Sequence, residues 1–244
     1  MGDRKSGTGG PIADFRSPIA PGLGAVIVAA GSGTRMGGFD KLFTEVAGRP
    51  LLAHAIAAFQ ECAAVEQIVL VLSAENVERG EALVRAQDFS KVCTVVSGGE
   101  RRQDSVRLGL EALGECEYVA VHDGGRPLVT VDLIERGLEA ARRAGAAVAA
   151  LPLVDTIKEA GADGLVVRTV DRSRLWAAQT PQVFRRDLLM RAHREISADV
   201  TDDAAMLEVL GVPVKVFPGD RRNIKVTTAE DLEWVRRALC EVER

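Results

Sequence analysis

Short, uninterrupted apolar runs recur along this chain, and helical periodicity follows most of them. Ala25–Ala30, Gln67–Leu72, Val92–Val96, Tyr118–Val121 and Ala146–Leu151 have the length and β-branched content of buried strands. Leu51–Cys62, Ala74–Ala86, Gln103–Leu113 and Val131–Ala144 lie between them and read as helices, with Pro50 at the first turn of one. A strand that is apolar on both sides must be covered on both faces. Strand and helix in strict alternation therefore predict a mainly parallel sheet between two helical layers.

The predicted fold is α/β and Rossmann-like, with helices on both faces of the sheet. Ligands in such sheets bind beyond the carboxyl ends of the strands. The pattern changes at Val154–Leu175, where short β-like runs flank Gly161-Ala162-Asp163-Gly164. This predicts a protruding β-arm over about 153–175. Val166, Val167 and Val170 give that arm apolar surface it cannot bury alone, so it is expected to dock on a second copy, making a homodimer. Farther on, Arg185–Arg194 and Asp203–Leu210 read as helices, and Val212–Phe217 as a late strand. Asn223–Val226 leads into a last helix, capped by Thr228 with Asp231 three residues on.

Composition excludes some classes. With 244 residues, 47% of them apolar, the chain can bury a sizeable core, and residues 23–244 are expected to form one domain. Residues 1–22, rich in Gly, Pro and Ser, read as a loose tail without the apolar segment of a signal peptide. No run approaches the ~20 residues of a membrane span. A net charge of −4 without a basic block argues against a nucleic-acid surface. Cys62, Cys93, Cys116 and Cys240 lack C-x-x-C spacing; buried free thiols and a reducing, cytoplasmic compartment are expected. Trp176 and Trp234 are expected in the core.

Beyond the first strand lies a loop with Gly31, Gly33, Gly37 and Gly38, together with Arg35 and Lys41. Glycine lets a ligand approach the backbone, successive N–H groups can form an anion nest, and the two cations add full charge. The loop is built for a polyphosphate. It is not a P-loop, because Lys41 precedes Leu42 rather than Ser or Thr. A dinucleotide fingerprint fits poorly too: the third Gly is displaced to Gly37, and the second strand ends in Ser73-Ala74 without a ribose-binding acid.

Two further strand ends are polar. Ser97–Ser105 reads as a glycine turn that starts a helix, with Asp104 or Ser105 in its first turn. His122–Pro127 places an acid, two glycines and an arginine where a Mg²⁺-nucleotide would sit. Asp123 could orient metal or substrate and Arg126 could meet phosphate or ribose; a plain Asp–Arg turn pair is the alternative. His122 is best read as a structural hydrogen-bonding residue.

The motifs follow one another in a specific order. A-A-G-x-G-x-R-M-G…K spans Ala29–Lys41, G-G-x-x-R-x-D-S spans Gly98–Ser105, and H-D-G-G-R-P spans His122–Pro127. D-T-I-K at Asp155–Lys158, V-D-R-S-x-L-W…Q-T-P-Q at Val170–Gln182, T-D-D-A at Thr201–Ala204 and N-I-K-V-T at Asn223–Thr227 complete the series. From about Gly24 to Leu239 the chain closely resembles the 2-C-methyl-D-erythritol 4-phosphate cytidylyltransferase family of the non-mevalonate isoprenoid pathway.

The resemblance implies transfer of CMP from CTP to the polyol phosphate, with Mg²⁺ or another divalent cation bridging phosphates. It implies that Arg35 and Lys41 hold the triphosphate and stabilise the transition state, with Arg172 and Lys225 as the other catalytic cations. Ala29, Ala30, Gly31, Gly33, Gly99 and Ser105 would contact the nucleotide, and Asp123 and Gly124 would lie near ribose, metal and substrate. Asp123, Arg126, Thr201 and Lys225 would meet the polyol phosphate. Thr156 and Arg172, on the arm, would reach the neighbouring subunit's site. No metal cage is implied; Mg²⁺ would ride on the CTP phosphates, with Asp123 as the one candidate protein ligand. Two positions depart from the family pattern: Asp40-Lys41-Leu42-Phe43 replaces P-K-Q-[FY], with one residue fewer after the arginine, and Gly125 replaces Ala. A cytidylyltransferase for another polyol phosphate, such as ribitol 5-phosphate, or a non-catalytic nucleotide-binding homologue are the alternative readings.

Overall fold

A computed structural model describes residues 22–31 and 41–242. The expected tail, apart from Gly22, lies outside the described residues, as do Gly33, Arg35, Gly37 and Gly38. In chain order the elements are β1 (Leu23–Ala29), β2 (Glu45–Val46), β3 (Arg49–Pro50), α1 (Leu51–Glu61), β4 (Val65–Leu72), α2 (Val77–Ala86), β5 (Val92–Ser97) and α3 (Arg102–Ala112). They continue as β6 (Tyr118–Asp123), α4 (Val131–Ala144), β7 (Ala146–Pro152), β8 (Ile157–Ala160), β9 (Val166–Val170), β10 (Trp176–Arg185), α5 (Arg186–Glu195), α6 (Asp203–Val209), β11 (Lys215–Pro218) and α7 (Ala229–Val242).

Seven strands form the main sheet in the order β11-β7-β10-β6-β1-β4-β5. All neighbours are parallel except β10, which runs antiparallel to both β6 and β7. The sheet is thus mainly parallel, as the apolar pattern requires. Sequence pattern did not announce β10 as a ten-residue strand, because Gln179, Thr180, Pro181 and Gln182 interrupt its apolar signal. These four residues coincide with a register irregularity between Ala178 and Gln182.

β1 shows why both faces need cover. Its side chains alternate: Ala25, Ile27 and Ala29 join a core with Leu52 and Ile56 of α1 and Leu133 and Ile134 of α4. Val26 and Val28 join the opposite core with Val106 and Leu110 of α3 and Leu189 of α5. Each large aliphatic side chain so buried contributes about 1.5–3 kcal/mol. Gly109 brings α3 close to the sheet; a Cβ there would stand 2.4 Å from Val26 Cγ1. α4 is bounded by Thr130, whose side chain accepts from Leu133 N, and by Gly145 at φ 84°. Pro50 sits at the N-cap of α1 rather than inside its first turn.

β8 and β9 form the expected antiparallel arm, growing from the β7–β10 ribbon and turning at Gly161–Gly164. Leu165, Val166 and Val167 are 60–70% exposed on it. Both tryptophans differ from expectation: Trp176 and Trp234 are exposed. Trp176 stands at the arm's root and Trp234 on the outer face of α7, where the described residues leave both exposed. Cys62 and Cys116 are buried, whereas Cys93 and Cys240 are exposed; the edge position of β5 leaves Cys93 on the surface.

Candidate active site

The carboxyl ends of β1, β6 and β5 bring three of the motifs together. The β1 end supplies Ala29, Ala30 and Gly31. Gly98 packs against it so closely that a Cβ would stand 2.4 Å from Ala30 Cβ and 2.6 Å from Ser105 Oγ. That forbids any other residue without movement. Ser105, in the first turn of α3, accepts from the Gly99 backbone N–H at 3.1 Å and donates to Arg101 O at 3.2 Å. Asp104 caps the same turn, accepting from Arg101 N at 3.2 Å and from Arg101 Nε at 2.8 Å. The hydrogen bonds from Arg101 hold the Asp104 carboxyl below its usual range.

β6 extends two residues past the expected end and carries His122 and Asp123 into the site. Both are buried. Asp123 Oδ1 accepts from Arg102 Nε at 3.2 Å, Oδ2 accepts from Lys225 Nζ at 2.8 Å, and Arg126 Nε lies 3.8 Å from Oδ2. Burial alone would raise this carboxyl; Arg102 and Lys225 overcome that and hold it well below the usual carboxylate range. Asp123 is therefore an anion whenever the protein is folded near neutral pH.

His122 has a defined tautomer. The Thr180 hydroxyl oxygen accepts from Asp123 N at 3.0 Å and lies 3.1 Å from His122 Nδ1, while His122 Nε2 lies 3.2 Å from the Arg126 carbonyl. A carbonyl only accepts, so Nε2 carries the proton, and Nδ1 receives the Thr180 O–H. The ring thereby ties both ends of the Asp123–Arg126 turn. Burial pushes its pKa down to about 4, which keeps it neutral and unsuited to proton transfer at pH 7.

Residues 223–226 cross the turn as a strap. Arg126 Nη1 donates to Asn223 O at 2.7 Å, Asn223 Nδ2 donates to Thr180 O at 2.7 Å, and Val226 N donates to Gly125 O at 2.8 Å. Lys41 Nζ donates to Val226 O at 2.7 Å, so the loop lysine and Lys225 converge on one strap although 184 positions separate them. Beside the strap opens a cavity of about 270 Å³. Its lining includes Arg102, Asp123, Arg126, Thr180, Gln182, Thr201, Asp202 and Lys225. Arg102 Nη2 and Arg126 Nε are buried without a hydrogen-bond partner, a costly state that an anionic ligand in the cavity would relieve.

Asp123, Arg126, Thr201 and Lys225 thus meet in one cavity, while Ala29, Ala30, Gly99, Ser105 and Gly124 do not line it and pack together at the neighbouring strand ends. Gly124 N donates to Val28 O at 2.8 Å, locking the turn to β1. Thr156 and Arg172 are exposed and do not line this chain's own cavity. Arg102 is the residue whose role the sequence left unassigned. It stands inside the G-G-x-x-R-x-D-S motif, but only the fold shows it bridging two acids, since Nη1 also donates to Asp203 Oδ2 at 2.7 Å. The residues do not compose a protein-borne metal cage. Among the described residues no three His, Cys, Asp or Glu side chains gather in metal-binding fashion, and both Asp123 oxygens already face cations.

Comparison with known proteins gives the lineage. The family model for 2-C-methyl-D-erythritol 4-phosphate cytidylyltransferase (IspD) matches residues 23–240. The chain belongs to that family. A relative from Dehalococcoides mccartyi, named 2-C-methyl-D-erythritol 4-phosphate cytidylyltransferase, is 51% identical over 210 residues, covering 86% of this chain and 92% of its own. One of the same name from Symbiobacterium thermophilum is 46% identical over 91% of this chain and 94% of its own. The crystal structure of the 4-diphosphocytidyl-2C-methyl-D-erythritol synthase from Anaerococcus prevotii superposes with a TM-score of 0.80 at 29% identity, covering 90% of this chain and 96% of that one. The cytidylyltransferase of Thermus thermophilus gives 0.74 at 34% identity, covering 90% and 99%. The family places the motifs described above in known company, and the expected Rossmann-like fold is the fold of these neighbours.

Proposed function

We propose that this chain transfers CMP from CTP to 2-C-methyl-D-erythritol 4-phosphate, releasing pyrophosphate, in isoprenoid precursor synthesis. The observation that carries the reading is the cavity in which Asp123, Arg126, Thr201 and Lys225 converge beside the Ala29–Gly31 and Gly99–Ser105 backbone, in a chain of this family.

The chemistry agrees with the residues. A phosphomonoester has a second pKa of ~6 and is already largely dianionic at pH 7. Its oxygen attacks the α-phosphorus of CTP, the bond to the β-phosphate oxygen breaks, and pyrophosphate leaves; no proton must be removed. Among the described residues the site accordingly holds a neutral, fully engaged histidine, and the one carboxylate assigned to substrate, Asp123, is held by cations rather than poised as a base. What the reaction needs is two anions held in line and their charge offset. Lys41 and Lys225, together with Arg35 and Arg172, are assigned that role. Arg102 Nη2 and Arg126 Nε are donors left over for the polyol phosphate. Asp123, anionic and held by Arg102 and Lys225, orients Lys225 and can accept from a substrate hydroxyl. We assign the expected Mg²⁺ to the CTP phosphates, as a counter-charge that travels with the nucleotide.

The exposed arm is proposed to make the active dimer. Thr156 and Arg172 sit on or beside it, away from their own cavity, and Leu165, Val166 and Val167 present apolar surface. A reducing, cytoplasmic location is proposed with it; no helix among the described residues is long and apolar enough to cross a membrane.

The test is pyrophosphate release with Mg²⁺ and CTP, offering methylerythritol 4-phosphate and ribitol 5-phosphate in parallel. Release with the first alone is expected. Preference for the second moves the substrate and leaves the mechanism. CTP binding without release from either defeats the catalytic reading. Mixing inactive Arg172→Ala with inactive Lys225→Ala protein should restore partial activity in hybrid dimers; no recovery would remove the arm from the site.

A further inference from the structure

Behind the cavity lies a buried acid that the reaction does not use. Asp203 is the first residue of α6, and its side chain is 1% exposed. Burying a carboxylate costs several kcal/mol, so its retention needs a reason. Helix capping is not that reason. Asp202 is the N-cap of α6, accepting from Ala205 N at 3.0 Å. Nor is docking of the helix: Gln182 of β10 clamps the same end, donating to Asp202 Oδ2 at 2.7 Å and accepting from Ala204 N at 3.2 Å. The Asp203 carboxylate is therefore spare with respect to α6 itself. Among the described residues its one hydrogen-bonded partner of opposite charge is Arg102, through Oδ2 at 2.7 Å, and its other oxygen faces His193 Nε2 at 3.6 Å.

We infer that Asp203 is a positioning residue for the cavity: it fixes Arg102, so that Arg102 holds Asp123 in the orientation that receives Lys225. The four side chains alternate in charge from the core to the mouth: Asp203, Arg102, Asp123, Lys225. Arg102 bridges two acids with different arms of one guanidinium, Nε to Asp123 and Nη1 to Asp203. Released from Asp203, the guanidinium would be free to pair with both Asp123 oxygens, displacing Lys225 from Oδ2. A lysine cannot substitute, because one ammonium lacks the planar fork that spans two carboxylates. The inference rests on the proposed role of Asp123 and Lys225 in binding the polyol phosphate.

The test compares Asp203→Asn, Arg102→Lys, Asp123→Asn and Leu207→Ala in steady-state kinetics and thermal melts. Asp203→Asn is nearly isosteric; it removes the charge and turns one acceptor oxygen into an NH₂ donor, so the charged pair with Arg102 is lost. Its kcat/KM for the polyol phosphate is expected to fall roughly tenfold or more, with the KM for CTP within about twofold, because the Gly99–Ser105 contact is untouched. Leu207, fully buried one turn along α6, is the structural control. Its truncation should lower the melting temperature yet leave kcat/KM within about twofold, measured well below the melt. Arg102→Lys keeps a cation opposite Asp203 and so protects folding; it should lose kcat/KM as Asp203→Asn does, and it decides the question if Asp203→Asn does not fold. Near-normal kcat/KM in Arg102→Lys or a folded Asp203→Asn, with Asp123→Asn inactive, overturns the positioning role alone. An equal loss in Leu207→Ala reduces Asp203 to helix stability and overturns it too. An active Asp123→Asn overturns both this inference and the site on which it rests.

Discussion

The cavity and the arm depart from the usual inside–outside partition of residues in opposite directions. At the cavity, Asp123, Asp203 and His122 are buried. On the arm, Leu165, Val166 and Val167 are 60–70% exposed, although Val26, Val28, Val69 and Val71 in the main sheet are at most 9% exposed. A buried charge and an exposed apolar cluster are the informative exceptions, and each needs a partner. The acids find theirs inside the chain, in Arg102, Lys225 and the Asp203 pairing. The arm finds none among the described residues. The buried charges are thus paired within one copy, and the apolar surface of the arm is left uncovered by the described residues.

Substitutions can sharpen that contrast. The largest effect is expected at the cavity: Lys41→Ala should lose about 10²–10³-fold in kcat, the scale of a missing transition-state contact, while unfolding free energy moves far less. Activity near wild type would detach the loop lysine from the reaction. On the arm, Val166→Lys with Val167→Lys should leave the isolated chain's stability nearly unchanged, because these side chains bury little within it. Sedimentation should show a single-chain mass in place of a two-chain mass, with turnover reduced roughly tenfold or more. Retention of the larger mass would assign dimer contacts to another surface.

A third effect belongs to the buried histidine. Unfolded, His122 titrates near its ordinary value of 6.5; folded, at about 4. The unfolded chain therefore binds more protons between those values, and stability falls as pH drops from 6.5 to 4, then levels for this group. The difference amounts to about 3 kcal/mol. Urea unfolding at several pH values should show it, and His122→Gln should flatten that part of the slope. The smallest effect is at Gly125, where this chain lacks the alanine of the family pattern. A Cβ there would meet Val226 O at 3.8 Å and Lys225 Cγ at 3.9 Å, both ordinary contacts. Gly125→Ala should keep activity and raise stability by about 0.4–1 kcal/mol through the unfolded chain's lost freedom.

Local chemistry made much of this legible. Continuous apolar runs dictate covered strands, and covered parallel strands dictate polar carboxyl ends, so the placement of Ala29, Gly99 and Asp123 at one edge follows from the pattern alone. Gly98 announces close approach, and the Thr228–Asp231 pair announces a cap: Asp231 N donates to Thr228 Oγ1 at 3.2 Å, and Thr228 N to Asp231 Oδ2 at 2.8 Å. The valine pattern of the arm predicts apolar surface because a two-stranded hairpin has no second face to cover it. Trp176 and Trp234 show where pattern fails. Apolar spacing says that a residue can be buried, but only the packing of neighbours decides whether anything covers it.

The sequence by itself determined the layered α/β architecture and the polar carboxyl ends of the sheet, because these depend on periodicity and on residue type within a few positions; of the cavity lining it named Asp123, Arg126, Thr201 and Lys225, the last two through the family resemblance. Tertiary structure alone decided the antiparallel insertion of β10, which brings Thr180 to His122 and Gln182 to Asp202. It alone decided that Arg102 bridges Asp123 and Asp203, residues 21 and 101 positions away. Such pairings couple charges across separate elements. Their free energy depends on distance and burial, which no local pattern in the chain encodes.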